Sequence, residues 1–442
     1  MIIGRWRGAI LVASGALMLF LTGVGLLLQR HGARDDFIRL ALLQGVLYLL
    51  VVALTWRGGL SRRALMAMLA VAVVMRLAVL VAPPYLSTDI NRYVWDGRVE
   101  AAGINPYRYI PDDPHLATLR DDSIFPNINR GTYATTIYPP VAEYIFFVAT
   151  RIGQTVTLMK AAMLAFELAA VLLLLRLLTR LALPRERILV YAWHPLLLWE
   201  FAGSGHIDAA AVAFVTLALW ARQRKVDWLT GLALGAAGLV KFFPLVIFPA
   251  LYRRWDWKMP AAAAAFVLAA YLPFLGVGRA VLGFLPGYMS EEGLDDGSGF
   301  YLWNLLKSVS PAIADLGVLP YLVLAAAAIA ALAVYAVLSD DAANRYIGSV
   351  TALAAAAMIL ASPHYPWYFA WIVPFLCFAP YPSLLYLTAA SPLLYFAPGG
   401  PDPTNIRIIF ETAMYGPFAV LASLELWHHR RRTAARLVRV EP

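Results

Sequence analysis

The sequence predicts an all-α polytopic membrane protein, and three observations carry the prediction. Hydrophobic residues make up 61% of the chain and charged ones 14%, with a mean hydropathy of +0.68; soluble domains carry about 25% charged residues. Apolar runs near spanning length, about 20 residues, recur from one end to the other. Basic residues gather in alternate short loops, as cytoplasmic loops do under the positive-inside rule. They include Arg57, Arg62 and Arg63; Arg176, Arg180, Arg185 and Arg187; Arg222, Arg224 and Lys225; Arg253, Arg254 and Lys258; and Arg430, Arg431, Arg432, Arg436 and Arg439. The net charge of +9 therefore describes topology rather than a nucleic-acid partner. The one cysteine, Cys377, excludes an intramolecular disulfide and a cysteine-based metal cluster.

Taken in order, residues 8–28, 38–56 and about 64–82 read as the first three spans. The first is a full-length apolar run without a cleavage pattern, so a signal peptide is not expected. Residues 83–156 then form a long extracytoplasmic loop. In it Ser87 and Thr88 are N-cap candidates for a helix starting at Asp89. Ile90, Val94 and Ala101 fall on one face of that helix and Asp89, Tyr93, Asp96 and Glu100 on another, the pattern of a helix lying in the membrane interface. Asn105-Pro106-Tyr107 ends it, and Val141–Thr150 is a second amphipathic stretch too short to span. Further segments are expected near 157–178, 188–203, 208–221, 227–252 (two apolar halves meeting at Lys241) and 259–276. After a second extracytoplasmic loop at 277–312, segments near 315–338, 346–361, 367–380, 382–397 and 407–427 complete a count of about 12–14. A basic cytoplasmic tail, 428–442, follows, and residues 1–442 form a single integral membrane domain with both termini in the cytoplasm.

Asp89 is the first candidate for chemistry. A carboxylate opening a helix is commonly a dipole partner. Here it stands just past a membrane exit among polar and aromatic residues, where it could act as general base toward a hydroxyl. His364, in Ser362-Pro363-His364-Tyr365-Pro366-Trp367-Tyr368, either belongs to an interfacial aromatic belt or orients Asp89. His206 and Asp208, near Glu200, read as loop capping or as sugar binding, and His194 as a packing residue. Lys241, one of five lysines, lies at predicted membrane depth. It suits a lipid phosphate or an ion pair with Glu167, Glu200 or Glu411. Arg76, Arg92 and Arg98 compete for the phosphate, since the guanidinium fork matches its oxygens. The acidic run Glu291-Glu292-Gly-Leu-Asp295-Asp296 lacks the ligand spacing of a calcium loop and reads as a mobile external segment.

The block Leu86-Ser-Thr-Asp89-Ile-Asn-Arg-Tyr93, continuing through Gly97 and Gly103 to Asn105-Pro106-Tyr107, resembles the first external loop of GT-C glycosyltransferases. It is most similar to the bacterial polyprenyl-phosphate-mannose-dependent mannosyltransferases. Tyr138-Pro139-Pro140, Gly205-His206-Ile-Asp208 and the approach to Lys241 resemble the same family, over roughly residues 64–380. The resemblance implies two juxtamembrane helices in the first loop, a polyprenyl-phosphate-linked sugar donor with mannose the first choice, a glycolipid, glycan or other hydroxyl acceptor, and inversion at the anomeric carbon. Asp89 and His364 are then the expected catalytic pair. Arg92, Arg98, Lys241 and Arg76 are the phosphate ligands, and Tyr93, Asp96, Asn105, Tyr107, Tyr138, His206 and Asp208 the sugar or acceptor contacts. Trp95 and Trp303 are further stacking candidates. Some relatives carry Asp-x-Asp where this chain has Asp89-Ile-Asn91, so no metal or other cofactor is expected. A bacterial inner-membrane location with an extracytoplasmic site follows from the same reading. A transporter or lipid flippase without covalent chemistry is the alternative. It would call for an inverted repeat, and only one interrupted segment is evident.

Overall fold

The computed structural model describes residues 2–339, 345–397 and 406–438. Among them every regular element is helical and no strand occurs. Residues 439–442 of the expected basic tail lie outside the described residues. The chain is a multi-pass membrane protein. Among the described residues seven helical runs are long and apolar enough to cross a bilayer: Arg7–Arg30, Arg34–Thr55, Arg62–Leu80, Val156–Arg180, Lys258–Glu291 (broken at Gly278 and ending in the short helix Leu285–Glu291), Leu319–Leu338 and Ile406–Arg431. A further pair, Pro195–Gly203 and Asp208–Gln223, bent by 118°, would make an eighth span.

The count is thus lower than the 12–14 segments read from hydropathy, and burial explains the difference. Residues 188–203 break into Leu189–Ala192, Pro195–Leu197 and a π-helical turn Leu198–Gly203, nearly all buried. Residues 366–376 are a 3-10 stretch, Pro366–Ile372, followed by Val373–Leu376, also buried. These segments are apolar because protein surrounds them, and broken backbone at membrane depth is tolerated where protein covers it. By contrast Leu319–Leu338 buries only Tyr321 and exposes Val323, Leu324, Val334 and Leu338, the surface of a helix in lipid.

The helices that position the site come early. α1 (Ile2–Arg30), α2 (Arg34–Thr55) and α3 (Arg62–Leu80) lead to α4 (Asp89–Ala101); α5 (Pro140–Ile152) precedes α6 (Val156–Arg180). α4 does not lie with one face in the membrane interface: Ile90 through Val99 are all buried. α5 packs across it, and the 104–139 connection supplies Leu116, Ile124 and Phe125 as cover. The crossing is close at Gly97, where a Cβ would run into the Phe146 carbonyl of α5. Arg76, a candidate for the lipid phosphate, is buried inside the bundle. Its guanidinium is 2.6 Å from Glu167 of α6 and donates to the Ala192 carbonyl at 2.8 Å. Removing one member of such a pair strands the other charge, at about 3–5 kcal/mol.

Candidate active site

Asp89 is placed by the end of one helix and the start of another. Lys160 of α6, wholly buried, donates from Nζ to the carbonyls of Val79 (2.8 Å) and Ala82 (2.6 Å), at and just past the end of α3. The chain turns through 83–88, and Ser87 Oγ accepts from the Asp89 amide at 3.2 Å, a local cap of the kind its sequence position suggested. Asp89 thus sits in the first turn of α4, where the helix dipole favours a negative charge. Asn129 Nδ2 donates to Asp89 Oδ1, and His206 Nδ1 stands 3.9 Å from Asp89 Oδ2. The carboxylate borders a cavity of about 630 Å³.

Two cations line that cavity, and each faces a carboxylate. Lys241 Nζ is 2.7 Å from Asp208 Oδ2 and lies 4.6 Å from the centre of the Tyr368 ring. Lys241 occupies the break between Asp227–Gly238 and the 3-10 turn Phe243–Ile247, as the interrupted apolar run implied. Its partner is Asp208, whereas the three glutamates considered from sequence are engaged elsewhere: Glu167 with Arg76, Glu200 with Tyr395 and Glu411 with Arg407. Arg130 Nε contacts Glu291 at 2.5 Å, with its guanidinium over the Tyr288 ring at 5.3 Å. Tyr133 also donates to Glu291, at 2.9 Å. The short helix Leu285–Glu291 thereby spans one side of the cavity, and Tyr288 and Tyr368 share a 2.6 Å hydroxyl hydrogen bond across it. The acidic loop is tied to the first loop rather than left without contacts.

The structure brings Asp89, Lys241 and Tyr138 to one cavity, with Asp208 behind Lys241. It does not bring the three candidate arginines there. Arg92 is clamped on Asp96 at 2.8 Å and on the Ala134 carbonyl, Arg98 on Asp121 at 2.6 Å, and Arg76 on Glu167. His364 faces Glu292 (3.3 Å) and the Gly299 carbonyl (3.2 Å), and His206 takes the place beside Asp89. Asn105 donates to the Phe274 carbonyl, and Tyr107 to the Tyr138 carbonyl at 2.7 Å, so both shape the wall from behind. Tyr93 is buried in a stack on Phe146, Trp95 against Phe125, and Trp303 in a separate cluster with Phe300 and Tyr321. His194 is a packing residue: its Nδ1 accepts from the Leu196 amide, and Nε2 shares a hydrogen bond with Thr388.

Sequence reasoning missed Asn129, Arg130, Trp367 as a wall residue, and Lys160. Asn129-Arg130 ends the polar 111–130 stretch, and nothing local distinguishes it from a covering loop. Behind α4, Asp96 and Glu143 are both buried and close enough to feel each other's charge. Burial pushes both carboxyls up, opposed at Asp96 by the Arg92 charge and reinforced at Glu143 by Asp96. Thr136 donates to Glu143 at 2.6 Å. No group of three or more His, Cys, Asp or Glu side chains placed to hold a metal ion occurs among the described residues.

Comparison with known proteins adds the chemistry. No curated protein and no solved structure matches the chain. The family described as Alpha-(1->6)-mannopyranosyltransferase, N-terminal domain, matches residues 1–256, more than half of the 442. Its members are polyprenyl-phosphate-mannose-dependent GT-C enzymes. The chain therefore belongs to the MptA/B family of α-(1→6)-mannosyltransferases, multi-pass membrane enzymes that transfer a hexose.

Proposed function

We propose that this protein transfers mannose from a polyprenyl-phosphate donor to a hydroxyl acceptor in the cavity beside Asp89, with inversion at the anomeric carbon. The observation that supports this best is the pairing within one cavity of a carboxylate anchored on one oxygen with two cations, each held by a carboxylate and a tyrosine ring. Asp89 takes the proton of the acceptor hydroxyl as that oxygen bonds to C1; the C1–O bond to phosphate breaks, and the lipid phosphate leaves with the electron pair. Phosphate is a good leaving group at neutral pH, so positioning and electrostatics supply most of the acceleration. Lys241 and Arg130 receive the phosphate by exchanging Asp208 and Glu291 for its oxygens, a charge-assisted contact in each case. Arg76, Arg92 and Arg98 hold the scaffold. Tyr138, Trp367 and Tyr368 offer ring faces to the sugar. The alternate basic loops support an extracytoplasmic site on a bacterial inner membrane.

The test is purified protein with radiolabelled polyprenyl-phosphate-mannose and a panel of hydroxyl acceptors. Labelled product with an α-(1→6) bond is expected, and Lys241→Ala should raise the donor KM by about tenfold, the loss of one charged contact. An unchanged donor KM in that variant would remove Lys241 from the phosphate site. No product with any acceptor would overturn the whole reading.

A further inference from the structure

We propose that His206 is the positioning residue for the Asp89 carboxylate, itself held by Glu200 and Trp367; the inference rests on the reading of Asp89 as the base. His206 stands at the apex of the helix pair Pro195–Gly203 and Asp208–Gln223, bent by 118°. The incoming arm ends in the π-helical turn Leu198–Gly203, and such turns concentrate at functional sites. Gly205 precedes His206 at φ +75°, a conformation that favours glycine, and a Cβ there would run into Ile90. The turn therefore rests directly on the first turn of α4, one residue from Asp89.

The imidazole is 1% exposed and has a carboxylate off each nitrogen. Nδ1 is 3.9 Å from Asp89 Oδ2, and Nε2 is 3.2 Å from Glu200 Oε2. The second contact is within ion-pair reach but not aligned as a hydrogen bond, and neither nitrogen has a hydrogen-bond partner among the described residues. His194, equally buried, differs in having both nitrogens engaged. A packing histidine is satisfied in place; His206 is left with both nitrogens aimed at acids. Trp367 stacks on the ring at 4.2 Å, which fixes its plane. Glu200 is anchored through its other oxygen, which accepts from Tyr395 at 2.7 Å, and Arg34 donates to the Tyr395 carbonyl at 2.9 Å. The nearby cations are committed elsewhere: Lys160 to the α3 carbonyls and Lys241 to Asp208. Closing the Nδ1 gap to hydrogen-bond length, about 2.9 Å, would grip Asp89 from both sides, Asn129 on Oδ1 and His206 on Oδ2. The remaining lone pairs then face the acceptor.

Steady-state mannose transfer by wild type, His206→Gln, Glu200→Gln and the double variant tests this, with melting midpoints recorded alongside. Each single variant should lose about 10- to 100-fold in kcat, the effect of a misplaced reacting group, with donor KM within about twofold. The double variant should be no worse than the more damaging single, because the two residues act in series. His194→Gln, the structural comparison, should lower the midpoint and leave kcat per folded molecule unchanged. Wild-type kcat in His206→Gln, or losses that simply track the folded fraction, would overturn the proposal while leaving Asp89 in place. Should His206→Gln not fold, Glu200→Gln carries the same expectation alone. A wild-type enzyme that transfers nothing would overturn the reading of Asp89 and this inference with it.

Discussion

Charge near Asp89 is rationed by pairing. Arg92 and Arg98 lie three and nine residues along the same helix, yet Arg92 is paired with Asp96 and Arg98 with Asp121, so closeness in sequence does not bring them to the cavity. The cavity cations, Lys241 and Arg130, come from distant parts of the chain. Glu100 Oε2 is buried without a hydrogen-bond partner among the described residues. Burial, and then the negative charge of Asp96, push its carboxyl from an ordinary 4.5 up to about 7. Between those values the folded state keeps a proton that the unfolded chain has lost, so this group's contribution to stability falls as pH rises through the window. Glu100→Gln should therefore melt above wild type at pH 8, with the gap closing toward pH 4.5. A gap that does not change with pH would contradict the assignment.

The elements show which expectations pattern can carry. The start of α4 was legible, because Ser87, Thr88 and Asp89 spell a helix N-terminus. Its surroundings were not: the spacing of Ile90, Val94 and Ala101 suggested one apolar face against a membrane, but α5 and the 104–139 connection enclose the helix. Periodicity reports what a helix can bury on one side, not what will be laid over the other. Gly97 records the enclosure. Gly97→Val should force α4 and α5 apart and cost about 1–3 kcal/mol, as overpacking does. The expected result is a lower thermal midpoint in detergent; an unchanged midpoint would mean that the crossing is looser than described.

At the scale of the whole molecule, hydropathy located six of the seven long spans within a few residues, ended the Lys258–Glu291 run fifteen residues early, and read as further spans segments that the structure breaks into short buried helices. Leu189–Ala192 and Pro366–Ile372 are as apolar as lipid-facing helices because they are wrapped by other helices, and composition cannot separate the two kinds of burial. The same wrapping assembles the site: Asp89 from the start of α4, Asn129 and Arg130 from the first loop, His206 and Lys241 from two helix breaks, and Trp367 from the buried 366–376 segment. A motif around Asp89 could point to that carboxylate and to the family, but neighbours 40 to about 280 residues away needed the fold. In the proposed reaction the Asp89 carboxylate takes the acceptor proton. The most direct test of that step is single-turnover mannose transfer by Asp89→Asn, with donor affinity measured separately. The amide keeps the size and the helix start but cannot accept the proton, so transfer should fall by about 10²–10⁴-fold while donor affinity stays within a few-fold. Transfer at the wild-type rate by Asp89→Asn would contradict the account.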